Sequence, residues 1–297
     1  MVRRGTYSIV ARDPQTGELG AAVQSHWFSV GSLVTWAEPG VGAVATQSIV
    51  ERAYGPRLLQ RLAQGAGPRE ALDQLLAADP VAAARQVAVT AASGAPAVHT
   101  GDRCIPFAGH VAGDDFSVQA NMMASEDVWP AMASAFEAST GPLSRRMLAA
   151  LRAAEAAGGD VRGKQSAAIV VVPASGDPWD RVVELRVEDH PEPLDELERL
   201  LVLHDAYTLA GEGDDLTGEG RHHEAGERYR QALTIAPDNH ELLFWAGLAA
   251  FQEGDEPGGL ARVREAIALQ PGWRDLLTRL PPDLAPSAAR VLAALEG

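Results

Sequence analysis

The first half of the chain alternates short apolar runs with turn residues. Residues 6–11 (TYSIVA) and 19–25 (LGAAVQS) flank Asp13-Pro14-Gln15-Thr16-Gly17. Asp, Pro and Gly at those places are turn formers, so the pattern predicts an antiparallel hairpin. Residues 41–47 (VGAVATQ) are small and apolar on both faces, as in a strand covered on both sides. Helical spacing follows. Leu58, Leu59 and Leu62 share one face of 54–63; Ala71, Leu72, Leu75 and Leu76 share one face of 68–78, with Pro68 suited to a first turn. A hairpin is expected over 86–90 and 95–100 across Ser93-Gly94, and a short strand over 116–120. Helices are predicted at 125–138 and 142–157, the second stopped by Gly158-Gly159. Residues 167–172 and 181–188 close the series as a last hairpin, in which Val183, Leu185 and Val187 alternate with charged neighbours.

This order, strands then two helices and the same again before final strands, is neither a regular βα alternation nor all-β. It predicts an α+β fold, and two sheets stacked between helix layers fit it along with other α+β arrangements. After His190-Pro191-Glu192-Pro193, a candidate linker, the strand signal stops. A repeat replaces it. Ala225, Tyr229, Ala232 and Pro237 are spaced A-x₃-[FY]-x₂-A-x₄-P, and thirty-four residues on, Ala266 and Pro271 repeat Ala232 and Pro237. Gly247 falls at the small-residue position between them. A 34-residue period of this form is the tetratricopeptide signature, although Val263 replaces the aromatic of the second match. The predicted domains are therefore 1–190, mixed α and β, and 191–297, all-α and tetratricopeptide-like. Leu194, Leu197, Leu200 and Leu201 are expected to open the helical domain, and residues 287–295 to cap it.

Charge sharpens the division. Of the 297 residues, 46 % are apolar, enough for real cores, and the net charge is −15. Residues 1–190 carry 20 acidic and 16 basic side chains, and residues 191–297 carry 20 and 9. Such acidity argues against nucleic acid and anionic membrane surfaces as partners, and favours basic partners for the helical domain. The one cysteine, Cys104, suits a reducing compartment. Arg3-Arg4 resembles the opening of an export signal, but no apolar stretch follows before Arg12. A cytoplasmic protein that forms a homo-oligomer is expected.

Chemistry enters with Thr6. A threonine opening a strand serves as an amide nucleophile once its own α-amine is free to take the hydroxyl proton. The preceding Gly5 leaves the Gly5-Thr6 bond sterically open to self-cleavage. The plain alternative is a β-branched residue starting a strand. Lys164 is the only lysine in the chain, where arginine serves every other basic need. That points to a compact or titratable ammonium, or else to a structural ion pair with Asp160. Arg162 and Gln165 flank it. His99, Cys104 and His110 share one segment, but no helix signal is there to lower the thiol's pKa. No metal-ligand spacing and no phosphate loop occurs.

The stretches TYSIVARD (6–13), TGELGAAVQSHWFSVG (16–31), GVGAVATQS (40–48), HTGDRCIPFAGH (99–110), FSVQANM (116–122), GGDVRGKQSAA (158–168) and LRVEDHPEP (185–193) resemble the bacterial family catalogued as domain of unknown function 1028. The resemblance implies the four-layer αββα sandwich of the N-terminal-nucleophile hydrolases. More loosely, the start resembles that of proteasome β-subunits. In that pattern an aspartate that orients a lysine stands where this chain has Gln24, and no lysine lies in the third strand here.

Taken together, these residue readings and the resemblance make Thr6, Gln24, Ser25 and Lys164 the candidate catalytic group. His26, Gln47, Ser48, Asn121, Arg162 and Gln165 are the candidate substrate-binding group, with strand-end amides offered as oxyanion donors. The implied activity is hydrolysis of a small linear amide, N-acyl or ureido bond after removal of residues 1–5, with no metal or organic cofactor. The alternative is a non-catalytic sandwich joined to a repeat module that binds a protein or peptide.

Overall fold

The computed structural model describes residues 5–296; the Arg3-Arg4 motif lies outside the described residues. The chain divides into two compact units between Glu198 and Arg199.

The first unit is mixed α and β. In chain order it holds β1 (Thr6–Arg12), β2 (Leu19–Ser25), α1 (Gly31–Val34), β3 (Thr35–Glu38), β4 (Gly42–Ser48), α2 (Tyr54–Ala63) and α3 (Pro68–Ala77). There follow β5 (Arg85–Ala91), β6 (Ala97–Thr100), β7 (Gly109–Ala112), β8 (Phe116–Asn121), α4 (Val128–Ala138), α5 (Leu143–Ala156), β9 (Ser166–Val172) and β10 (Val183–Val187). One sheet runs β10-β9-β2-β1-β8-β7 and the other β3-β4-β5-β6, with every pair antiparallel.

The hairpin predicted across Asp13–Gly17 is present. The Asp13 carboxylate accepts the Gln15 amide at 2.8 Å, and Gly17 takes a left-handed φ of 75°. Burial follows period two. Val10, Leu19, Ala21 and Val23 of the first sheet share a core with Ala43, Ala45 and Ala88 of the second, so these faces meet. The other face of the second sheet buries Val44, Val87 and Val89 against Leu58, Leu59 and Leu62 of α2. On the far side of the first sheet, Met147, Leu148 and Leu151 of α5 are buried.

Sequence pattern missed α1, β3 and β7. The two strands are four residues long and only partly buried, so their periodicity is weak.

The second unit is helical. A long helix, α6 (Pro193–Gly218), spans the division at Glu198/Arg199, eight residues past the expected 190/191 boundary. Then come α7 (His222–Ile235), α8 (His240–Gln252), α9 (Glu256–Leu269), α10 (Gly272–Leu277) and α11 (Ala288–Glu296). Gly247 and Gly259 set the α8–α9 crossing. A Cβ on Gly259 would sit 2.6 Å from the Gly247 carbonyl oxygen. Ala225, Tyr229 and Ala232 are buried on α7, and Val263 and Ala266 on α9. No described helix is long and apolar enough to cross a membrane.

Candidate functional site

β1 is central in its sheet, between β2 and β8. Register places Thr6 opposite Ser25 on one side and Asn121 on the other. Thr6 and Ser8 face the second sheet. Tyr7 faces the helices, where its hydroxyl donates to Glu155 Oε2 at 2.7 Å. Burial and the Glu155 carboxylate together raise the Tyr7 pKa, so it stays a phenol.

The peptide before Thr6 gathers polar groups. The Gly5 carbonyl oxygen accepts from Thr6 Oγ1 at 2.6 Å, Ser25 Oγ at 2.5 Å and Arg162 Nη2 at 3.0 Å. Thr6 Oγ1 also lies 3.1 Å from Ser25 Oγ. Asp160 fixes the arginine: its side chain is fully buried, and its Oδ2 is 2.7 Å from Arg162 Nη2. The same carboxylate accepts the Arg162 and His26 amides at 3.0 and 3.3 Å. Gly5 is required by this close approach, since a Cβ there would stand 2.7 Å from the Asp160 carboxylate. Thr6 itself is 1 % exposed.

Behind Thr6 lies a layer of amides. Gln47 Nε2 donates to the Thr6 carbonyl oxygen at 3.2 Å and to Gln86 Oε1 at 2.8 Å; Asn121 Nδ2 reaches the same two oxygens at 3.4 and 2.9 Å. Gln119 Nε2 donates to Ser8 Oγ at 2.5 Å. Gln47 Oε1 and Asn121 Oδ1 are buried with no hydrogen-bond partner, a cost of about 1–3 kcal/mol for each such atom.

The four non-glycine residues with left-handed φ among the described ones, Ser29, Ser48, Phe107 and Met122, all lie at this end of the unit. Met122 passes its carbonyl to the Val161 amide, and the Met123 amide donates to the Phe107 carbonyl. Strain gathered in this way is common around functional sites. Phe28, Phe107 and Val161 are large apolar residues exposed on the same loops.

Of the residues expected from sequence, Thr6, Ser25, Gln47, Asn121 and Arg162 therefore converge. Others do not. Gln24 is the cross-strand partner of Tyr7, so it lies on the helix side of the sheet, away from the Thr6 hydroxyl. Lys164 sits on that side too. Its Nζ pairs with the Glu192 carboxylate and lies 3.9 Å from Glu155 Oε1, and the Glu192 hydrogen bond raises its pKa. The ion pair with Asp160 is made by Arg162 instead. Ser48 is the cross-strand partner of Arg85 and lies on the opposite face of β4 from Gln47, and Gln165 Nε2 donates to Asp189 Oδ1 at 3.0 Å. His26 is exposed and contributes its backbone amide.

Burial raises the Cys104 pKa, which opposes thiolate chemistry. His99 bonds the Ala82 carbonyl and His110 the Thr100 hydroxyl, so neither activates the thiol. Among the described residues no group of three His, Cys, Asp or Glu could hold a metal ion. Sequence reading missed Ser8, Gln86 and Gln119. The available signal was amides and hydroxyls at alternate positions inside otherwise apolar strands.

The family of unknown function DUF1028 matches residues 6–197. The chain belongs to this family. No curated protein matches it. Among solved structures, the DUF1028 protein SPO2555 from Silicibacter pomeroyi is 34 % identical with a TM-score of 0.61, over 66 % of this chain and 88 % of that one. Anbu, the ancestral beta-subunit from Yersinia bercovieri, is 13 % identical with a TM-score of 0.33, over 66 % of this chain and 94 % of that one, a superposition too loose to establish a shared fold. The DUF1028 match starts at Thr6, the residue on which the polar groups converge.

Proposed function

We propose that the first unit is an N-terminal-nucleophile-type αββα sandwich, in which Thr6 cuts its own Gly5-Thr6 bond and then hydrolyses a small linear amide, N-acyl or ureido bond. One observation carries this reading: the Gly5 carbonyl oxygen holds three side-chain donors, the Thr6 hydroxyl among them.

The first step is an N-to-O acyl shift. Thr6 Oγ1 bonds to the Gly5 carbonyl carbon, and the hydroxyl proton passes to the Thr6 nitrogen as the C–N bond breaks. Negative charge on the Gly5 oxygen is met by Ser25 Oγ and Arg162 Nη2. Water then cleaves the ester, leaving a Gly5 carboxylate, the Thr6 hydroxyl and a free α-amine. Loss of Gly5 uncovers Thr6 where it is now closed off.

The same groups serve the substrate. The α-amine takes the Thr6 hydroxyl proton as Oγ1 attacks the substrate carbonyl, and returns it to the leaving nitrogen as the C–N bond breaks; water, deprotonated by the same amine, then cleaves the Thr6 ester, releasing the acid and restoring the hydroxyl. Ser25 and Arg162 hold the substrate oxygen in the place the Gly5 oxygen vacates. Gln47 and Asn121 fix the Thr6 carbonyl, and so the orientation of the nucleophile. The reaction as written needs no cofactor.

The second unit is read as tetratricopeptide-like, on the buried Ala225, Tyr229, Ala232 and Ala266 and the Gly247–Gly259 crossing. The experiment is a screen of small amides and ureido acids with the wild-type chain, Thr6→Ser and Thr6→Ala. Turnover that falls in Thr6→Ser and vanishes in Thr6→Ala is expected. Unchanged turnover in Thr6→Ala would overturn the assignment and leave a non-catalytic sandwich with a binding repeat.

A further inference from the structure

The helical unit contains a cavity of about 350 Å³ that the Thr6 chemistry does not use. Its wall is built from α6, α7, α8 and the segment before α11. Asp214, Tyr229, Glu241 and Trp245 line it, with Leu248 and Leu284 among the apolar contributors. Its size is within the range of small-ligand sites.

The wall is held in shape by specific contacts. Gly213 lets α6 lie against the Tyr229 ring, since a Cβ there would be 2.8 Å from it. The Tyr229 hydroxyl donates to Asp214 Oδ1 at 2.8 Å. The Tyr207 hydroxyl donates to Glu241 Oε2 at 2.6 Å, and Asn239 caps α8 through the Glu241 and Leu242 amides. The Ser287 hydroxyl donates to the Leu248 carbonyl at 2.8 Å and ties the last wall to α8.

Some acidic side chains of the unit pair with arginines, as Glu212 does with Arg228, Glu224 with Arg221 and Glu253 with Arg230. Asp214 and Glu241 each bond a phenol, and neither has a lysine or arginine within ion-pair distance among the described residues. A phenol leaves the carboxylate's charge in place. Burial raises the pKa of both Tyr229 and Tyr207, so neither phenol adds charge of its own. Two uncompensated carboxylates and an indole therefore border one mostly apolar cavity, and that combination recognises a planar cation on an apolar stem.

We propose that this cavity binds an arginine side chain of a basic peptide. The guanidinium would bridge the Asp214 and Glu241 carboxylates beside Trp245, and the flanking apolar residues of the peptide would cover Leu248 and Leu284. The surplus acidity of residues 191–297 favours approach of such a peptide. The site does not depend on the Thr6 chemistry and stands if that chemistry fails.

The test is isothermal titration of the full chain at low ionic strength with an acetylated, amidated Leu-Arg-Leu peptide. A matched peptide carries neutral citrulline in place of arginine. One-to-one binding of the arginine peptide and none of the citrulline peptide is expected. The Asp214→Asn/Glu241→Gln double variant should weaken binding tenfold or more. A second double variant, Glu265→Gln/Asp283→Asn, removes the same charge from exposed positions outside the cavity and should bind as wild type. Circular dichroism checks that each variant folds. Equal binding of the citrulline peptide, unchanged binding in the cavity variant, equal loss in the control variant, or no binding of the arginine peptide would each overturn the proposal.

Discussion

Arg162 donates from Nη2 to the carbonyl oxygen of Gly5, 157 residues earlier in the chain, at 3.0 Å. The contact joins the loop between α5 and β9 to the peptide that precedes Thr6. It makes the charge on Arg162 part of the chemistry proposed at that bond.

Removing this donor should slow cleavage of the Gly5-Thr6 bond. Loss of one oxyanion donor costs about 10²–10³ in rate. Arg162→Gln is therefore expected to accumulate uncleaved chain, with Arg162→Lys intermediate. A time course of intact mass after synthesis reads the effect. Equal rates in all three proteins would remove Arg162 from the mechanism.

Asp160 is fully buried and pairs with Arg162. Replacing it with alanine leaves the arginine without its carboxylate and the His26 and Arg162 amides without their acceptor. Breaking a buried pair from one side costs roughly 3 kcal/mol, less where one partner is partly solvated as Arg162 is. A lower urea midpoint in Asp160→Ala, together with slower cleavage, is the expected result. A midpoint equal to wild type would contradict the anchoring role.

Lys164 is expected to be dispensable for the chemistry. Its Nζ lies on the helix side of the first sheet with Glu192 and Glu155, separated from the Thr6 hydroxyl by the sheet itself. Lys164→Gln should change cleavage and turnover less than about twofold, since pairs this exposed are worth about 0–1 kcal/mol. A hundredfold loss of turnover would restore the lysine to the site.

The pH dependence of stability has an identifiable contributor in Asp79. Burial pushes its pKa up, but hydrogen bonds from Arg85, the Val81 amide and Tyr54 outweigh this and leave it lowered. A depressed folded-state pKa contributes stability above the unfolded value, near 3.9, and that stability is lost as pH falls through the folded value. Asp79→Asn should therefore lower stability near neutral pH and flatten the acid side of the stability curve. Urea midpoints across the acid range, compared with wild type, measure it.

The strand and helix pattern of the first unit was largely legible, because period-two and helical burial write themselves into sequence. The α2 span matches its apolar face residue for residue, and β4 is buried on both faces as its small side chains require. The site was legible only in part. Thr6, Ser25, Gln47, Asn121 and Arg162 end strands or loops that converge. Gln24 lies apart from the Thr6 hydroxyl because adjacent strand residues point to opposite faces: Ser25 and Gln24 are neighbours in sequence and are divided by the sheet. Lys164 lies apart from Thr6, with Glu192 and Glu155, because rarity in composition carries no direction in space. Asp160 and Gly5 meet only through tertiary folding, and no local pattern records that contact.

The most direct measurement is the intact mass and N-terminal sequence of the purified, folded chain, taken beside the same data for Thr6→Ala. The expected result is wild-type protein that begins at Thr6 and variant protein that keeps the Gly5-Thr6 bond. Wild-type protein that hydrolyses an amide with residues 1–5 still attached would contradict the account.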